Sequence, residues 1–104
     1  MADMMQVNAR VLNNMTMVKL MVTHSMEDGL RKDKATGELI AAEFLREVNV
    51  EYAGKIVFAA NLSAAIAKNP FFAFSFSGGA EGETLTINWV ESTGLSGRET
   101  ARIG

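Results

Sequence analysis

Residues 84–90 alternate without a fault. Leu85, Ile87 and Trp89 fall on one side of an extended backbone, and Thr84, Thr86 and Asn88 fall on the other. Successive side chains of a strand point to opposite faces, so this period of two calls for a sheet with one dry and one wet face. The preceding segment repeats the rhythm, with Phe72, Phe74 and Phe76 set against Ala73, Ser75 and Ser77. The glycine-bearing connection at residues 78–83 predicts that these two strands form a hairpin. Earlier, residues 44–52 place Phe44, Val48, Val50 and Tyr52 on one face and Glu47, Asn49 and Glu51 opposite. Ala53-Gly54 then turns the chain into residues 55–59 as a second hairpin. Residues 15–23 read as another strand, residues 6–11 as a weaker one, and residues 98–103 close the set with Ala101 and Ile103 inward.

Helix is scarce. Only residues 63–68 suit one or two turns, with Ser63 as N-cap and Asn69-Pro70 as the stop. About seven short strands with turn signals at this spacing predict an all-β fold, an immunoglobulin-like or fibronectin-like antiparallel β-sandwich. The long connection at residues 25–42 is expected to cross between the sheets or to lie over one end.

Composition narrows the function classes. A chain of 104 residues has room for one core, so residues 1–104 are read as a single domain. The net charge of −2 lacks the basic field that nucleic acid or an anionic membrane surface requires. No apolar run approaches the roughly 20 residues of a bilayer span. The opening Met1-Ala2-Asp3-Met4-Met5 has neither the basic nor the apolar part of a signal peptide. Cysteine is absent and His24 is the single histidine, which excludes disulfides, thiol catalysis, cysteine-based zinc sites and iron–sulfur ligation on this chain.

The remaining groups with chemical potential read as structural. Gly78, Gly79 and Gly82 resemble a phosphate loop, but no lysine follows and a strand, not a helix N-terminus, comes next. His24 neighbours Ser25, yet adjacent side chains of an extended segment diverge, so no proton passes between them. Glu27, Asp28, Asp33 and Glu38 surround Arg31, Lys32 and Lys34 without the spacing of a calcium loop. Glu47 and Glu51 share a face but stand about 13 Å apart at 3.3 Å per residue, beyond the usual acid–base pairing. The expectation is a chain with no catalytic residues, no metal and no cofactor.

Residues 15–22 carry a different message. Thr16, Val18, Leu20 and Val22 share one face, while the opposite face holds Met15, Met17 and Met21, broken only by Lys19. One face of a sandwich strand should be polar. A methionine-lined outer face is covered either by the chain's own loops or by another protein, and methionine is overused at adaptable binding surfaces.

The segment Thr23-His24-Ser25-Met26-Glu27-Asp28-Gly29-Leu30-Arg31-Lys32-Asp33 resembles the signature of the SoxZ family of thiosulfate-oxidation proteins. Further similarity lies in residues 44–50, the turn Tyr52-Ala53-Gly54-Lys55, residues 64–71 and residues 82–89, so the likeness spans about residues 15–103. Ser25 stands where the family carries proline, and the first fourteen residues, with Asn13-Asn14 at a turn, match poorly. The resemblance implies a non-catalytic subunit that pairs with SoxY, whose C-terminal cysteine arm holds the sulfur while other Sox enzymes make transient contact. It also implies a periplasmic location by co-export with the partner. Carried onto this sequence, His24, Met26, Gly29, Leu30 and Arg31 form a recognition segment. Asn69, Pro70 and Phe71 form a second candidate patch, since Phe71 faces away from Phe72, Phe74 and Phe76; Met15, Met17 and Met21 are counted with the partner-binding residues, and Arg31 is expected to fork onto a partner carboxylate or carbonyls. Alone, the chain is expected to self-pair if the methionine face is uncovered. The rival reading is a free-standing fibronectin-like binding or adhesion module, which predicts a polar or self-covered face.

Overall fold

A computed structural model describes residues 5–63 and 65–104. Seven strands run in chain order: β1 (Met5–Leu12), β2 (Met15–Val22), β3 (Leu45–Tyr52), β4 (Lys55–Asn61), β5 (Phe71–Ser77), β6 (Thr84–Glu91) and β7 (Ser96–Arg102). They form a three-stranded sheet, β1-β2-β5, and a four-stranded sheet, β4-β3-β6-β7, with every pairing antiparallel. The all-β sandwich expected from the alternation is the observed architecture.

Two tight turns build the hairpins. Asn13 and Asn14 join β1 to β2 with φ of 53° and 62°, and Ala53 and Gly54 join β3 to β4 with φ of 52° and 77°. Two consecutive left-handed residues give the turn whose twist matches that of the flanking strands. Between the sheets lie Val18, Leu20 and Val22 of β2, Val48 and Val50 of β3, and Leu85, Ile87 and Trp89 of β6, all buried. Ile103, just past β7, is buried with them as the alternation predicts.

Two expectations are corrected. β5 and β6 are not a hairpin: β5 pairs with β2, and β6 pairs with β3 and β7. The glycine segment between them carries the chain from one sheet to the other. Its start is held to the three-stranded sheet by the Gly78 N–H donating to the Asn14 carbonyl at 2.7 Å. The buried Thr16 hydroxyl also donates to the Gly78 carbonyl at 2.7 Å. A side chain on Gly79 would meet the Thr16 hydroxyl at 2.0 Å, so only glycine passes here. The end of the segment is held to the four-stranded sheet's margin, where Gly82 and Glu83 exchange backbone bonds with Ile103.

The inward face of residues 44–52 is shifted as well. A bulge between Leu45 and Glu47 reverses the alternation, so Leu45 is fully buried and Phe44 is only half-buried at the margin. The helical turn expected at residues 63–68 falls partly on Ala64, outside the described residues. Around it the Ser63 hydroxyl accepts from the Ala65 N–H at 3.3 Å and the Ser63 carbonyl from the Ile66 N–H at 3.2 Å, a single turn with Ser63 at its start, and no helix occurs among the described residues.

The connection from β2 to β3 crosses between the sheets, as one of its two expected courses, and doubles back on itself as an arm. Glu27 pairs with Glu43 and Lys32 with Leu39, while no residue from 27 to 43 is buried. A strand of eight residues is about 26 Å long. The molecule's longest extent is 53 Å against 22 and 20 Å across, so the arm stands well clear of the sandwich.

Candidate functional site

The outer face of the three-stranded sheet is built from four cross-strand rows. They are Leu12–Met15–Ser77, Arg10–Met17–Ser75, Asn8–Lys19–Ala73 and Gln6–Met21–Phe71. Met15 and Met17 are 40% and 47% exposed, Leu12 is 58% and Phe71 is 59%. No described residue of the chain lies over this face as a lid. Four large apolar groups in water on one twelve-residue face form a patch of the kind that marks a contact surface. Phe71 points away from Phe72, Phe74 and Phe76, of which Phe76 is buried, as the alternation predicts.

The row containing Met21 and Phe71 sits at the end of the sheet where β2 leads into the arm. There the predicted residues separate into two groups. His24, Met26, Asn69 and Pro70 build the arm's root. The His24 ring Nε2 lies 2.6 Å from the Glu91 carboxylate, both residues being buried. The Met26 N–H donates to His24 Nδ1 at 2.9 Å. Because Nδ1 accepts, the ring proton sits on Nε2 and is donated to Glu91. Asn69 accepts from the His24 N–H through Oδ1 at 3.0 Å and donates its own N–H to the His24 carbonyl at 2.9 Å. Pro70, buried, accepts from the Val22 N–H at 2.9 Å. Met26 and Asn69 hold left-handed φ of 53° and 54°. Asparagine tolerates that region, whereas Met26 is kept there by burial and by its sulfur, which accepts from the Leu45 N–H at 3.3 Å. His24 thus fastens the end of β2, the end of β6 and the segment before β5 at one point.

Gly29, Leu30 and Arg31 lie beyond this root on the arm. Gly29 has φ of 85° and packs near Ala42, with a Cβ there standing 3.3 Å from that of Ala42. Leu30 is 79% exposed. The Arg31 guanidinium is forked onto Glu27, with Nε at 3.1 and 3.2 Å from the two carboxylate oxygens and a further bond from its terminal nitrogen. Those hydrogen bonds, and then the Glu27 charge, raise the Arg31 pKa above its ordinary value. The fork expected to reach a partner is therefore occupied within the arm.

His24, Glu43 and Glu91 bring candidate ligand atoms within 4.8 Å of one another. Their hydrogen bonding opposes a metal. A histidine that binds through Nε2 carries its proton on Nδ1 and donates it to an acceptor. Here Nδ1 faces the N–H of Met26, a donor. The arrangement is that of a structural clamp.

The outer face of the four-stranded sheet is different in kind. Asn88 donates through Nδ2 to Asn49 Oδ1 at 2.9 Å and to Glu51 Oε2 at 2.7 Å, and it accepts from Arg98 Nε at 3.0 Å. Its polar groups satisfy one another.

The model of the sulphur oxidation protein SoxZ family matches residues 4–102. The chain belongs to the SoxZ family. Membership gives it a role in sulfur oxidation as part of the Sox system, and the match includes both the methionine face and the arm. No curated protein sequence matches this SoxZ-family chain. No helix among the described residues is long and apolar enough to cross a membrane.

Two partners of the predicted residues were not anticipated from sequence. Glu27 is the acceptor for Arg31. Glu91 is the acceptor for His24, and a signal for it exists: it continues the inward series Leu85, Ile87, Trp89, where a carboxylate requires a buried donor.

Proposed function

We propose that this SoxZ-family chain is the non-catalytic subunit of a sulfur-carrier heterodimer. In this reading it docks a SoxY-like subunit, which bears the sulfur on its own cysteine, through the outer face of the three-stranded sheet. The observation that carries the reading is the uncovered apolar patch of Leu12, Met15, Met17 and Phe71. A free-standing module would be expected to present polar groups there, or to cover the patch with its own loops. The arm supplies a second contact. Three strands of seven or eight residues project only about 14 by 26 Å, whereas a stable interface takes about 800 Å² from each partner. The sheet face alone falls short, and Leu30 and Leu39 on the arm, both largely exposed, extend the apolar area. His24, Met26, Asn69 and Pro70 serve the interface indirectly by fixing the arm at the edge of the patch. Carriage of the sulfur by the partner suits a chain without cysteine, and the complex is placed in the periplasm by co-export with that partner. Other Sox enzymes meet the complex transiently.

The test is co-purification with a SoxY homologue from a thiosulfate-oxidising bacterium. A stable heterodimer on size exclusion is expected. Two separate peaks at micromolar concentrations would overturn the reading.

A further inference from the structure

We propose that the groove along the free edge of β7 binds an extended, lysine- or arginine-bearing segment of another protein, which adds to the sheet as a further strand. The groove is open and encloses about 760 Å³. Six consecutive residues, 95–100, line one side of it, and His24, Glu43, Trp89 and Glu91 are among those lining the rest. β7 is the last strand of its sheet, so its outer row of backbone groups has no strand partner among the described residues. Such a row is a template for an added strand.

Two buried side-chain atoms make this edge a built site. Trp89 is 6% exposed, and its Nε1–H has no hydrogen-bond partner. Trp89 faces Gly97 across β6 and β7, and a Cβ on Gly97 would stand 2.5 Å from the ring carbon that bears Nε1. The absence of a side chain at Gly97 therefore lets the indole ring lie directly beneath β7, where it lines the groove. Glu99 lies on the same inward series of β7, and its Oε1 is likewise buried without a partner. One vacant donor and one vacant carboxylate oxygen ask for an occupant that offers a carbonyl and a cation. Glu43 and Glu91 bring two further carboxylates to the same groove. A second copy of this chain is the wrong occupant, because two β7 edges brought together would set inward Glu99 against inward Glu99, while Arg98 and Arg102 fall on the other series of β7 and do not offset it. The inward carboxylate thus blocks unselective edge pairing and admits a basic strand.

This inference uses a different face from the proposed SoxY-like contact and does not rest on it. Trp89 is the single tryptophan, so its indole N–H resonance reports on the groove directly. The experiment titrates isotope-labelled full chain with the capped peptide Thr-Lys-Val-Lys-Thr and, in parallel, with Thr-Glu-Val-Glu-Thr. The lysine peptide is expected to move the indole N–H downfield together with the β7 amides, and the glutamate peptide to bind at least tenfold more weakly. Glu99→Gln, checked for an unchanged fold by circular dichroism, is expected to weaken the lysine peptide about tenfold, the loss of one charge-assisted hydrogen bond. Equal binding of both peptides overturns the proposal. So does indifference to Glu99→Gln, or no movement of the indole resonance at millimolar peptide. Each of those results leaves heterodimer formation on the opposite sheet unaffected.

Discussion

The two outer faces of this sandwich share one architecture and opposite chemistry. On the four-stranded sheet, Asn49, Glu51, Asn88 and Arg98 close a hydrogen-bonded network at the middle of the face, and a single large apolar side chain, Ile56 on the edge strand β4, stands exposed beside Glu51. On the three-stranded sheet, Met15, Met17, Leu12 and Phe71 stand in water where that network's counterpart would be. Folding does not require this: the inward face of β2, with Thr16, Val18, Leu20 and Val22 all buried, already supplies its share of the core. An apolar residue on the second face of a strand adds nothing to a two-layer body, so its presence points to association. The difference teaches that the binding surface can be found by asking which face fails to satisfy itself.

The largest expected break in this picture is at the point that ties the two sheets to the arm. His24→Ala removes the donor to the buried Glu91 and the acceptor for the Met26 N–H. Leaving a buried carboxylate and a buried amide unpaired is expected to lower unfolding stability by about 3 kcal/mol in urea melts. A loss below about 1 kcal/mol would mean that the clamp is incidental and that the arm is held by its backbone pairings alone. Smaller in energy, but aimed at the contrast itself, is a matched pair of substitutions. Met17→Glu places a charge in the middle of the apolar face and is expected to weaken the SoxY-like partner by about 2 kcal/mol, roughly thirtyfold, in calorimetry. Ala59→Glu, exposed on β4 and paired with Asn49 on the polar sheet, is expected to leave that affinity unchanged. Equal effects from the two would dissolve the distinction between the faces. The same contrast predicts that the isolated chain self-associates in light scattering and that Met17→Glu makes it monomeric.

Most of the fold was legible because strand alternation is written locally. Residues 84–90 and 72–77 announce their inward faces, and the methionine face is visible because β2 is apolar on both of its series. What stayed hidden depends on pairings distant in sequence. Alternation states that β5 is a strand but not that its neighbour is β2, so the glycine segment read as a hairpin when it is a crossover. The bulge at Leu45 and Glu47 is one residue of excess length, which reverses the inward series without any signature in composition. The bond between His24 and Glu91 joins residues 67 apart. His24 was readable as structural, yet its acceptor was legible only as a carboxylate on the wrong side of a strand. Arg31 was readable as a fork, but Glu27, four residues away on an arm that is not helical, takes it first.

The smallest expected effect tests how far the self-satisfied character of the four-stranded sheet extends to its margin. Tyr52, at the end of β3, donates its hydroxyl to Glu83 Oε1 at 2.5 Å, just before β6 begins. That hydrogen bond to Glu83 is the first cause of a phenol pKa raised above its ordinary value of 10.0, followed by burial and then by the Glu83 charge. A group whose folded pKa is raised stabilises the fold in full below its unfolded value and ceases to do so as pH climbs through the folded one. The contribution is therefore intact at neutral pH and fades only above pH 10. Tyr52 is the single tyrosine, so absorbance at 295 nm against pH follows this one group. The midpoint is expected above 10 in the native chain and closer to 10 in Glu83→Gln, which keeps the shape of the side chain and removes the charged acceptor. An unshifted midpoint, or one indifferent to Glu83→Gln, would show that the margin of the sheet is open to solvent exchange. The polar sheet's closure would then stop at the Asn88 network.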